Sequence, residues 1–172
     1  MDKLLMDDDV KALVLELKAM ADKLRAKGLD DDDLKDLLLS KEEKGIALSE
    51  DGTLTLLDYG KTVKLSPMER ALYMLLLRYT DGIRIEDLWK YYDELIGIYS
   101  KMTWFSDPVS AADAVDALCD DSRATFYTNL SRIKKKITDA AGRVAASKYA
   151  ILRGKDDVYR VAAPRSLVFG AL

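Results

Sequence analysis

The sequence predicts an α+β fold: an N-terminal helical arm, followed by a domain of short strands, helices and a closing β-hairpin. Three observations carry that reading. Apolar residues recur with a helical period over residues 7–39. The pattern then changes to short strand-like segments bounded by Asp51-Gly52 and Asp58-Tyr59-Gly60. A helical pattern returns from Ser66, and two further strand-like segments flank Gly154 near the end. A chain of 172 residues with 49% apolar composition holds enough material for one ordinary core, with or without a helical extension.

The first helix is expected over residues 7–27. Asp7, Asp8 and Asp9 suit its positive end, Gly28 suits its stop, and Leu13, Leu17, Met20 and Leu24 share one face. A short second helix over residues 31–39 would turn Leu34, Leu37 and Leu38 inward. The aspartates at 30–33 lack the spacing and closing glutamate of a calcium loop, so they read as helix caps. Lys41-Glu42-Glu43-Lys44-Gly45 is the expected joint between the arm (1–44) and the domain (45–165), with residues 166–172 as a tail.

Three short strands follow at 46–48, 53–57 and 62–65. Ser66-Pro67-Met68-Glu69 is a capping box with proline at the first helical position. It opens a helix through Leu72, Leu75, Leu76 and Tyr79 that stops near Asp81-Gly82. Residues 85–101 read as an aromatic-rich helix, and Ser106-Asp107-Pro108 caps another that ends near Leu118. A basic helix follows Asp121-Ser122. Residues 149–153 and 158–162 form the expected hairpin around Gly154-Lys155-Asp156-Asp157.

Composition removes several function classes. There is no histidine, hence no imidazole base, no histidine metal ligand and no Ser-His or Cys-His pair. The single Cys119 excludes an intramolecular disulfide and reads as a small buried hydrophobe in a reducing compartment. Asp93 and Glu94 are adjacent, so on a helix they diverge by about 100° and do not face one substrate. No glycine-rich phosphate loop or metal-ligand cluster is seen, so no enzyme, cofactor or small-molecule ligand is expected. Apolar runs are too short for a membrane span, and the acidic start does not resemble a signal peptide; a cytoplasmic protein is expected.

The charge is divided along the chain. Residues 1–120 hold 26 acidic and 16 basic side chains, a net of −10. Residues 121–172 hold 4 acidic and 11 basic, a net of +7, and together these give the −3 of the whole. On a helical wheel with Phe126 at zero, Leu130, Ile133 and Ile137 fall at about 40°, −20° and 20°, a narrow inward stripe. Thr128 falls at about 200°, Ser131 at about 140° and Lys135 at about 180°, with Arg132 at about 240° and Thr125 at about 260°. Short hydroxyls beside long cations suit phosphate contacts, and arginine can pair bidentately with guanine. Lys136 adds a cation to this helix, and Lys148, Arg153 and Lys155 add three near the hairpin.

Residues 46–162 resemble the winged-helix output domain of bacterial response regulators. Lys64-Leu65-Ser66-Pro67-Met68-Glu69 is similar to that family's opening, and Gly82-Ile83-Arg84-Ile85-Glu86-Asp87-Leu88 follows the first helix. Asn129 to Ile137 is similar to its basic helix, and Leu152-Arg153-Gly154 to its hairpin. The chain resembles still more closely an uncharacterised bacterial family through Gly82-Ile83, Glu94-Leu95, Ile98-Tyr99, Ser131-Arg132-Ile133, Pro164-Arg165 and Leu167-Val168. The resemblance implies double-stranded DNA binding in a transcription-related role. Residues 123–137 would lie in the major groove, and the Gly154 hairpin on the flanking backbone. Thr125, Thr128, Ser131, Arg132, Lys135, Lys136, Lys148, Arg153 and Lys155 are the expected contacts.

Three departures stand out. The segment before the domain is shorter than a receiver domain and reads as helices, so phosphorylation control is not implied. Residues 100–120 lengthen the connection before the basic helix. Asp156 and Asp157 at the hairpin tip would repel phosphate. The alternative is a protein-interaction module on the same scaffold. The arm's leucines could pair with a second copy to form a homodimer. Trp89, Tyr91, Tyr92, Trp104 and Phe105 read mostly as core, with Trp104 and Phe105 the better surface candidates because they fall in a loop.

Overall fold

A computed structural model describes residues 8–38, 43–102 and 108–170. The chain divides into two compact units, residues 1–40 and residues 41–172. Trp104, Phe105, Ser106 and Asp107 lie outside the described residues.

The first unit is a helical hairpin of α1 (Asp8–Ala26) and α2 (Asp31–Leu38). Asp30 and Asp33 cap α2 reciprocally: the Asp33 N–H donates to Asp30 Oδ1 at 2.8 Å, and the Asp30 N–H to Asp33 Oδ2 at 3.2 Å. Two of the four aspartates are thus spent on a helix start, while Asp31 pairs with Arg25 and Asp32 with Lys35. Leu34 is buried as expected, but Leu37 and Leu38 are 51% and 63% exposed, so the expected inward set is corrected to Leu34 alone. The α1 stripe of Leu13, Leu17 and Met20 is also exposed, because an eight-residue partner helix covers little of a 19-residue one.

The second unit begins with β1 (Ile46–Leu48), β2 (Leu54–Leu56) and β3 (Lys61–Val63), an antiparallel meander. α3 (Pro67–Arg78) starts at the expected capping box, where Ser66 and Glu69 bond each other's backbone N–H in both directions. Every residue from Ala71 to Leu77 is buried, so α3 is the central core helix, apolar all round. After it come β4 (Ile83–Arg84), a 3-10 segment (Ile85–Tyr91), α4 (Tyr92–Met102) and α5 (Pro108–Cys119). Then follow α6 (Ala124–Tyr149), β5 (Ile151–Arg153), β6 (Val158–Val161) and β7 (Val168–Gly170). The fold is α+β among the described residues, with sheet orders β3-β2-β1-β7 and β4-β6-β5.

Two expectations are corrected, and two features go beyond the sequence reading. The segment 85–101 opens as a 3-10 turn, and its Trp89 is 63% exposed where the sequence reads as core. β4 has no counterpart in the sequence reading; two residues carry no period, and their strand character comes from pairing with β6. The basic helix runs on to Tyr149, broken only at Gly142, whose φ of 87° lies where side-chain-bearing residues are strained. Residues 168–170 are no tail. They pair in parallel with β1, Ile46 against Val168, a partner far along the chain that no local pattern announces.

Buried polar links tie the sheets to the helices. The Tyr73 hydroxyl of α3 donates to the Tyr149 carbonyl at 2.7 Å, and the Tyr149 hydroxyl donates to Asp58 in the β2–β3 turn. Asp58 also accepts the Gly45 N–H at 3.1 Å, just before β1. Burial, and then Asp58, push the Tyr149 phenol well above its ordinary range, so it stays a donor at any physiological pH. No helix among the described residues is long and apolar enough to cross a membrane.

Candidate nucleic-acid interface

α6 begins after a tight turn in which Arg123 adopts left-handed geometry, φ 57°, and the Ser122 N–H is held by Asp120 at 3.0 Å. Phe126, Ile133 and Ile137 are buried and Leu130 half-buried, as the wheel requires. Asn129 is buried with them, its amide donating to the Thr125 carbonyl at 2.8 Å.

The opposite side of α6 gathers four of the nine expected contacts. Thr128, Ser131, Arg132 and Lys135, with Tyr127, line an open depression of about 370 Å³. Thr128 donates its hydroxyl proton to the Ala124 carbonyl at 2.8 Å, leaving its oxygen as an acceptor only. Arg132 is exposed and makes no ion pair among the described residues. Lys135 reaches Asp139 at 2.8 Å, but both side chains are well exposed, at 74% and 60%. Such a solvent-screened pair holds the lysine weakly. Thr125 is half-buried one turn earlier.

The other four expected residues lie apart from that depression. Lys136 turns to the core side, where its Nζ donates to Glu69 at 2.6 Å; the Glu69 side chain is only 2% exposed. Burial pushes the Glu69 carboxyl up, but Lys136 and the Ser66 N–H outweigh it and hold the pKa below the ordinary value. Lys148 pairs loosely with Glu43 at 3.5 Å and borders a separate hollow beside Tyr149 and Ala163. Arg153 is clamped by Asp157 on its own hairpin, with Nε 2.7 Å from Oδ1. Lys155 is exposed at the tip, where Asp156 and Asp157 both adopt left-handed geometry.

The hairpin reaches α6 through aromatic rings. Tyr159 of β6 meets Phe126 edge-on at 5.0 Å, and Phe126 meets Tyr127 at 5.7 Å. Burial, then the neighbouring Tyr127 hydroxyl, push the Tyr159 phenol up to about 12. Gly82 carries the other side of this sheet. With φ 89°, it sits where a Cβ would lie 2.5 Å from Val158 Cγ1 and 2.9 Å from the Tyr159 carbonyl oxygen, so only glycine lets β4 approach β6.

Three residues beside these elements, Tyr127, Arg84 and Arg160, are missing from the set expected on sequence. Tyr127 is an aromatic next to a core phenylalanine, which hides it among core residues. The two arginines are hidden because the strand β4 that aligns them is not visible in the sequence. Glu94 and Cys119 are engaged in structure. Glu94 accepts from Arg78 at 2.7 Å and from the Tyr79 hydroxyl at 2.8 Å. Burial and Asp116 hold the half-buried Cys119 thiol up, away from the nucleophilic thiolate. Among the described residues no group of three or more acidic or cysteine side chains is arranged to hold a metal ion.

Comparison of the chain with protein-family models, with curated proteins and with solved structures finds no match in any of the three.

Proposed function

We propose that this chain binds double-stranded DNA on a winged-helix scaffold, with α6 as the helix that enters the major groove. The observation that carries the reading is the clustering of Thr128, Ser131, Arg132 and Lys135, far from any buried partner, on one open face of a well-anchored helix. The strand order β4-β6-β5 supports the scaffold: a strand ahead of the helical pair completes the sheet of a terminal hairpin directly after the candidate recognition helix. Ser131 offers a hydroxyl donor and Arg132 a forked cation, a set suited to phosphate and guanine edges, while the acceptor oxygen of Thr128 suits a cytosine or adenine amino group. The role is transcription-related and non-catalytic, in the cytoplasm of a bacterium, and the N-terminal helical hairpin is the dimerisation element.

The test is fluorescence anisotropy of a mixed-sequence duplex of about 30 base pairs, titrated at several salt concentrations. Binding in the micromolar range with a log–log salt slope of about −4 to −6 corresponds to about four to seven neutralised phosphates. Absence of binding at low salt overturns the reading.

A second reading, a protein-binding module, is favoured by Trp89. An indole 63% exposed on a 3-10 segment is a typical anchor for a partner surface. It would gain ground if the duplex titration fails and Trp89→Ala changes an association that the duplex does not.

A further inference from the structure

Within the DNA-binding reading, we infer that the hairpin sheet meets phosphate through Arg84 and Arg160 on its solvent face, and not through Arg153 at its tip. The sheet has one buried and one open face. Ile83, Tyr159, Val161 and Ile151 are buried on the first, while Arg84 and Arg160 are exposed on the second. The pairing register puts the two arginines together. Arg84 stands opposite Val158, and Arg160 lies two residues further along the same strand, hence on the same face and diagonal to Arg84. Diagonal neighbours of this kind lie about 7–8 Å apart, close to the spacing of successive phosphates along one DNA strand.

The partners across the strands leave both cations unneutralised. Arg84 faces Val158 and Arg160 faces Leu152, so no carboxylate stands directly opposite either one. Neither makes an ion pair among the described residues. Two unpaired guanidiniums side by side repel each other, an arrangement that a bound polyanion relieves.

The tip is chemically different. Arg153 already holds a carboxylate of its own turn, Asp157, and Asp156 is exposed beside it. Moving Arg153 onto a phosphate would release Asp157 into the same negative field. With Lys155 counted, the two cations and two carboxylates of the tip cancel, so it offers phosphate no net positive charge.

The test uses the full chain and the duplex titration above. Arg84→Ala with Arg160→Ala is expected to make the salt slope shallower by about 2, close to 0.9 for each phosphate no longer neutralised. Arg84→Lys with Arg160→Lys, which keeps the charge, should retain most of the slope, and Arg153→Ala should leave it unchanged. If the wild type binds and the double alanine variant keeps its slope, the sheet-face site is overturned while DNA binding through α6 stands. A shallower slope for Arg153→Ala alone would return phosphate binding to the tip and overturn the inference. If the wild-type chain fails to bind the duplex, both this site and the DNA reading fall.

Discussion

Lys136 Nζ lies 2.6 Å from Glu69 Oε2, joining α6 to the first turn of α3 across 67 residues of sequence. The same carboxylate accepts the Ser66 N–H at 2.7 Å, so one glutamate caps a helix and anchors a second. Lys136 shares the basic run with Lys134 and Lys135, yet it serves the core. Replacing Lys136 with methionine leaves a nearly buried carboxylate without its cation. The expected loss is about 1–3 kcal/mol in a urea unfolding curve, reduced from the fully buried case because the lysine is partly exposed. The duplex salt slope should stay as in the wild type. A slope shallower by about 1 would place Lys136 on the DNA.

Glu69 is expected to contribute to the acid limb of stability. Its folded pKa lies below the ordinary carboxylate value, so the unfolded chain takes up the proton first as pH falls. The stabilisation is complete above the unfolded value of about 4.3 and is lost as pH drops through the folded pKa. Melting temperature followed from pH 6 down to pH 3 should fall more steeply in the wild type than in Glu69→Gln. Parallel curves would count against this carboxylate as a source of acid sensitivity.

Arg132 and Lys135 should act in binding with little effect on folding. Both are exposed and no buried group depends on them. Replacing both with alanine is expected to weaken duplex binding at least tenfold, with the melting temperature within a degree or two of wild type. Unchanged affinity would remove this face of α6 from the interface.

Gly82 should be intolerant of a side chain. Alanine there meets Val158 and the Tyr159 carbonyl while forced into left-handed geometry. The expected cost is about 1–3 kcal/mol, with amide exchange faster in β4 and β6 than in the β1–β2–β3 meander. Uniform exchange throughout would mean that the second sheet does not depend on this close approach.

The arm is expected to hold two copies together through Leu13, Leu17 and Met20, which its own short hairpin leaves exposed. Deleting residues 1–40 should convert a dimer into a monomer in light scattering, with the remaining domain still folded by circular dichroism. A truncated chain that is still dimeric would assign the arm another role.

The α+β class, the first three strands, the capping box at Ser66 and the inward stripe of α6 are all legible from sequence, because each depends on neighbours within a few positions. Ser66 needs only Glu69, and Ile133 needs only its helical period. The face of Thr128, Ser131, Arg132 and Lys135 is legible for the same reason: a helix fixes which residues share a side.

Other features have causes distant in the chain. β4 is a strand because Val158 and Tyr159 lie beside it, and β7 because Ile46 and Leu48 do. A two- or three-residue strand contains too few positions to show a period, so its partner decides it. Charge behaves likewise. Lys135 and Lys136 are equivalent in sequence, but one reaches a solvent-screened aspartate one turn away and the other a buried glutamate on a distant helix. The sequence by itself determined where the cations are and which helix carries them. Only the tertiary structure decided which are spent on carboxylates and which stay free, because ion pairing depends on distances across the fold.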